Sequence, residues 1–133
     1  KEIRLECIVS GKETIAFDGG VKTTPFEKVK AGVIIEEEDK LRKISIIGNS
    51  DVKNSVTNTS YDSNLKVYEK SDSKEFFISN TRTDGKDIDK VEIKIDRIFG
   101  RIFVKSSSSM DTGLKTFTSF NGDCSLIKNT PKF

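Results

Sequence analysis

Branching at Cβ constrains this chain more than any other feature. Ile, Val and Thr number 35 of its 133 residues, against 8 for Ala, Leu and Met together. Two heavy atoms on Cβ restrict χ1 and disfavour a helix, but suit a pleated, half-buried strand. Strong helix formers are nearly confined to Lys and Glu, and no stretch sustains apolar spacing of three and four. The expectation is all-β: an antiparallel β-barrel or barrel-like sandwich of about eight strands, with at most one short helical turn. The length fits one domain, residues 1–133. Leu, Ile, Val and Phe together number 38, enough for a packed though thin core.

The alternation can be followed along the chain. Ile3, Leu5, Cys7 and Val9 face one way, and Ser10-Gly11 reads as the end of that strand. Thr24-Pro25-Phe26-Glu27 matches a capping box with Pro at the first helical position, the one place for a helical turn. Val29, Ala31, Val33 and Ile35 alternate next, and the charged stretch Glu37–Lys40 leads as a hairpin into Leu41, Ile44, Ile46 and Ile47. Asn49 to Asn64 is polar and reads as a long loop or a weak edge strand, with Leu65 to Glu69 as a strand after it. Phe76-Phe77-Ile78 precedes an Asp84-Gly85 turn signal, and Val91, Ile93 and Ile95 alternate cleanly beyond it. Gly100 marks a bulge or tight hairpin, Ser106–Ser109 reads as a low-complexity linker, and Thr116 to Phe120 forms the last strand.

Charge and composition exclude much chemistry. With 23 basic and 21 acidic residues, the net charge of +2 offers no strong field for nucleic acid or an anionic membrane, and neither is expected as a partner. No apolar run approaches the roughly 18 residues of a membrane span. The absence of His removes Ser-His-Asp and Cys-His catalysis and histidine metal sites. Two distant cysteines cannot supply the paired spacing of a zinc site, and Asp18-Gly19-Gly20 lacks the tail of a phosphate loop. No metal or cofactor is expected. Asp84, Asp87 and Asp89 do not match a calcium loop, and with Lys86 and Lys90 among them they read as a solvated hairpin tip. Glu36 to Asp39 reads as a charged turn. Phe99, Phe103, Phe117 and Phe120 suit either a stacking platform or core packing, and the near-neutral charge favours the core. Asn58-Thr59-Ser60 is a glycosylation sequon.

Cys7 lies in the first predicted strand and Cys124 just after the last. If they pair, the bridge closes nearly the whole chain, worth roughly 4 to 5 kcal/mol by loop entropy, and it requires the first and last strands to adjoin. That favours a barrel closing on itself. The alternative is two unrelated buried thiols in a reducing compartment. A chain beginning at Lys1 rather than Met fits a mature protein after signal-peptide removal.

Leu5-Glu6-Cys7, Ile95-Asp96-Arg97-Ile98-Phe99-Gly100, Phe120-Asn121-Gly122-Asp123-Cys124 and the closing Pro131-Lys132-Phe133 form a familiar layout. It resembles small exported proteobacterial β-domain proteins of unknown function, with a Cys in the first strand and a terminal Phe/Tyr-x-Gly-x-Cys. The resemblance implies a periplasmic location and a Cys7–Cys124 disulfide, and no activity. Within the motif, parity turns Arg97 towards the face of Val91, Ile93 and Ile95. An inward guanidinium must find a carboxylate or backbone carbonyls, or line a polar cavity. It would serve as a structural plug at one barrel end, or as a ligand anchor for a carboxylate or phosphate. The functional expectation is an exported, non-enzymatic binding or interaction domain, periplasmic or secreted, with an unidentified protein or small-molecule partner. The alternatives are a lipocalin-like carrier of a small amphipathic ligand, or a His-free enzyme built on carboxylates.

Overall fold

Each of the apolar alternations above lies on a strand. The computed structural model describes residues 2–38, 41–48, 65–69 and 72–127, and among these there is no helix. The strands are β1 (Glu2–Phe17), β2 (Gly20–Glu38), β3 (Leu41–Gly48), β4 (Leu65–Glu69), β5 (Glu75–Asp84), β6 (Asp87–Asp96), β7 (Arg101–Ser109) and β8 (Lys115–Leu126). They form one antiparallel sheet in the order β3-β2-β1-β8-β7-β6-β5-β4. Seven of them curl into a half-barrel, and the five-residue β4 extends its edge. Six of the seven pairings join consecutive strands; the exception is β1 with β8.

The first and last strands therefore adjoin, but they do so in the middle of the sheet. The sequence argument for a barrel closed at that seam needs correction. The order is that of an up-and-down barrel opened between β3 and β4, which form the two edges of the described sheet. Asn49 to Asn64, including the sequon, lie outside the described residues.

One face of the sheet is buried, and its register rows grade from apolar to polar. At one end Ile3, Ile35 and Ile44 lie side by side, followed by Leu5, Val33 and Ile46, then by Cys7, Ala31 and Cys124. The next two rows are Val9, Ile102, Ile95 and Phe76, then Phe26, Phe120, Val104, Ile93 and Ile78. Beyond these the same face carries Thr24, Glu13, Thr118, Ser106, the buried Val91 and Asn80, and Asp89 accepts a 2.6 Å hydrogen bond from the Ser108 hydroxyl. Period-two alternation is clear in the apolar half and vanishes where both faces are polar.

Three local readings are corrected for related reasons. Ser106–Ser109 is the end of β7, not a linker: Ser106 and Ser108 line the polar half of the buried face, and Ser107 and Ser109 face outward. Gly11 does not end β1. A Cβ there would stand 2.0 Å from the Ser119 carbonyl oxygen and 2.6 Å from the Phe120 Cβ, so only glycine lets β1 and β8 approach. The Phe26 and Phe120 rings, on the strands either side of Gly11, meet edge-on with centroids 6.1 Å apart. Burial of Phe26 also overrides the capping box, and Thr24–Glu27 continues β2 instead of forming a helical turn. The extra residue is taken up as a bulge between Val9 and Gly11, where Lys28 has φ 50° and its N–H donates to Ser10 Oγ at 3.0 Å. Pro25 is tolerated because β3 pairs only with Ala31–Glu38, which leaves that part of β2 with one neighbour among the described residues.

Candidate functional site

Two short turns close the apolar end of the half-barrel, and each is organised by an aspartate. Before β5, Asp72 Oδ1 accepts the backbone N–H groups of Lys74 at 2.7 Å and Glu75 at 2.9 Å. After β6, Asp96 Oδ1 accepts those of Ile98 at 2.9 Å and Phe99 at 3.0 Å. Gly100 completes this second turn with φ 67°, and its N–H reaches the Asp96 carbonyl at 3.0 Å. The amide of Phe99, and after it that of Ile98, holds the Asp96 carboxyl below the ordinary aspartate range. The expected β6–β7 hairpin at Gly100 is thus present, as is the Asp84-Gly85 turn, where Gly85 has φ 60°.

Arg97 joins the two turns. Its N–H donates to the Lys74 carbonyl at 2.8 Å, and its Nη1 donates to the Asp72 carbonyl at 2.6 Å. Its guanidinium carbon lies 4.3 Å from the centroid of the Phe76 ring, a cation–π distance. Because β6 ends at Asp96, Arg97 sits on the rim, exposed, rather than within the strand parity that pointed it inward. Its head still returns over Phe76, a residue of the buried face.

Beneath it lies a pocket of about 410 Å3. Ile3, Leu5, Phe76, Ile95 and Leu126 supply apolar walls, and Cys124 contributes from the Cys7–Cys124 disulfide. The two cysteines are directly opposed on β1 and β8, with Cα atoms 4.0 Å apart. Cys124 turns its N–H to the Gly100 carbonyl at 2.7 Å, so this is a non-hydrogen-bonded pair, where antiparallel strands approach most closely. The volume falls within the range of small-molecule sites, and the lining matches their usual form of apolar walls with few polar groups. Asp96 also borders the pocket, with one carboxylate oxygen committed to the turn amides.

The other sequence candidates fall elsewhere. Of the four phenylalanines assigned to the core, only Phe120 is buried. Phe99 is 78% exposed beside Arg97, and Phe103 and Phe117 are 40% and 53% exposed on the outer face of the sheet. Parity explains the error: Phe103 alternates with inward Ile102 and Val104, and Phe117 lies an odd number of residues from inward Phe120. Asp87 accepts the Asp111 N–H at 2.7 Å and Asp89 faces Ser108, so the hairpin acids serve local structure. Among the described residues no group of three or more acidic or cysteine side chains could hold a metal ion. Asp39 lies outside the described residues.

One buried residue escaped the sequence reading. Asn80 is 2% exposed, and neither its amide nitrogen nor its oxygen has a hydrogen-bond partner among the described residues. Its parity with Phe76 and Ile78 was the available signal.

Fold and pocket together define an open antiparallel half-barrel with an apolar cavity at one end and a cation on its rim. Comparison with protein-family models, characterised proteins and solved structures found no match to this chain.

Proposed function

We propose that this chain is an exported, non-enzymatic binding domain that takes a small amphipathic anion at the disulfide end of the half-barrel. The apolar part of the ligand lies against Ile3, Leu5, Phe76, Ile95 and Leu126, and its carboxylate or phosphate meets Arg97. The observation that carries this reading is the placement of one guanidinium on the rim of a mainly apolar pocket, whose one carboxylate, Asp96, is turned by Oδ1 to the amides of Ile98 and Phe99. An arginine has five donors, and the hydrogen bond to Asp72 uses one. Stacking on Phe76 preorients the planar fork, which lowers the entropy lost on engaging an oxyanion. Ile98 and Phe99, exposed on the same turn, extend the apolar surface beyond the pocket. The disulfide is consistent with an oxidising, exported compartment.

The test is calorimetric titration of the oxidised protein with decanoate and with decanol. Wild type binds both, and Arg97→Gln weakens decanoate roughly 10- to 100-fold, as expected for a lost charge-assisted hydrogen bond, with decanol unchanged. Equal decanoate affinity in wild type and variant, or no binding of either probe, overturns the proposal.

A further inference from the structure

The outer face of the sheet separates charges that the sequence interleaves. Three successive register rows cross β1, β8, β7, β6 and β5 on this side: Lys12-Ser119-Lys105-Glu92-Ser79, Thr14-Phe117-Ser107-Lys90-Thr81 and Ala16-Lys115-Ser109-Ile88-Thr83. They carry four lysines and one acid. Nearby acids that balance the overall charge fall elsewhere: Asp87, Asp89 and Glu13 on the opposite face, Asp123 beside Arg101 at 3.5 Å, and Glu75 beside Lys94 at 3.8 Å. Phe117 stands at the centre of this field, half-exposed. At strand spacings of about 3.4 Å per residue and 4.8 Å between chains, the Cα atoms of Lys12, Lys90, Lys105 and Lys115 lie within about 10 Å of its own.

The surface here is hollowed. A depression of about 420 Å3 includes Lys12, Lys90, Lys105 and Phe117 in its lining. It shares Glu92 and Lys105 with a second of about 250 Å3 that reaches Phe103, and Lys90, Ser107 and Phe117 with a third of about 220 Å3 that reaches Lys115. The result is a diagonal trough with serine floors, lysine edges and two exposed phenyl rings.

We infer that this trough binds single-stranded nucleic acid, with a base stacked on Phe117 and flanking phosphates held by Lys12, Lys90, Lys105 and Lys115. The pattern calls for a flat aromatic unit with negative charge on both sides, which is nucleotide chemistry; an acidic polysaccharide supplies the charge without an aromatic face. The trough extends over three depressions, which favours a strand over a single nucleotide. Lysine ammonium groups meet phosphates as point charges and phenyl rings stack on any base, so the binding is tolerant of sequence. The near-zero net charge does not oppose it, because potential is set by the local face within a screening length of about 8 Å.

The experiment is fluorescence anisotropy of a labelled mixed-sequence oligonucleotide of about 20 nucleotides, titrated with the full oxidised chain. Four phosphate contacts predict a salt slope near −3, and therefore about 50-fold weaker binding at 200 mM than at 50 mM salt. Phe117→Ala lowers affinity roughly 5- to 150-fold at either salt, the range for losing one stacked base, and Lys105→Gln flattens the slope by about 0.7. Arg97→Gln, at the pocket on the other side of the sheet, leaves oligonucleotide binding unchanged, so the two sites fail or survive separately. Absence of binding at 50 mM salt overturns the inference, as does binding that Phe117→Ala leaves intact or that heparin matches with equal affinity.

Discussion

The two halves of the buried face are built from the same strands in the same ladder, yet they rest on different physics. From Ile3 to Phe120 the rows are Ile, Val, Leu and Phe around a disulfide, and nearly every side chain is buried against another apolar one. From Asn80 to Ser108 the rows are mostly Ser, Thr, Asn and Asp, with Val91 buried among them and Ile15 and Glu13 on β1, and the polar groups are joined by single hydrogen bonds such as that from Ser108 to Asp89. The difference teaches where this small domain keeps its stability. Fully burying an Ile or Phe contributes about 1.5 to 3 kcal/mol, whereas a neutral hydrogen bond nets about 1 kcal/mol. The disulfide end is the stable end, and the serine end is held mainly by continuation of its strands.

The largest effect that can break this comparison is removal of the bridge. Cys7→Ala with Cys124→Ala frees a sequence separation of 117 residues, and the loop-entropy relation predicts a loss of about 5 kcal/mol in denaturant unfolding. A loss below about 1 kcal/mol would show that the apolar rows hold β1 to β8 unaided. Next comes Asn80. Exchanging a buried amide without partners among the described residues for an apolar group of similar size removes a desolvation penalty, so Asn80→Leu should gain about 1 to 2 kcal/mol. A destabilised variant would mean the polar half needs that amide. The smallest effect concerns Asp96. Its folded-state pKa is lowered, so its contribution is complete above the unfolded-state value and disappears as pH falls through the folded one. The stability difference between wild type and Asp96→Asn, read from denaturant midpoints, should shrink between about pH 6 and about pH 3. A difference independent of pH would assign the turn to hydrogen-bond geometry alone.

The same division decides what was legible beforehand. Alternation of Ile3, Leu5, Cys7 and Val9, or of Val91, Ile93 and Ile95, requires only that one face be apolar, and these strands were read directly. The adjacency of the first and last strands followed only on the condition that Cys7 and Cys124 pair, and Cys124, expected just beyond the last strand, lies within it. In the polar half that signal has nothing to act on, and Ser106–Ser109 looked like a linker although each serine sits in the ladder. Gly11 and Phe26 were misread because their conformation depends on Phe120, more than 90 residues away. Arg97 was singled out by its motif, but the pocket beneath it draws Leu5 and Leu126 from opposite ends of the chain, a juxtaposition no local pattern contains.

The seam between β1 and β8 also orders events in time. Every other pairing closes a hairpin between consecutive strands and needs few loop residues, so β1–β3 and β4–β8 can assemble as separate meanders. Their union must wait for the final strand, because β1 has no second neighbour until Lys115–Leu126 has been made. During synthesis the first meander therefore presents Cys7 and an unpaired strand edge with nothing to dock on, the interval in which an oxidant or a second chain could capture it. Closing the cysteine bridge ends that interval, and the slowest contact of the fold becomes one that thermal motion no longer reopens.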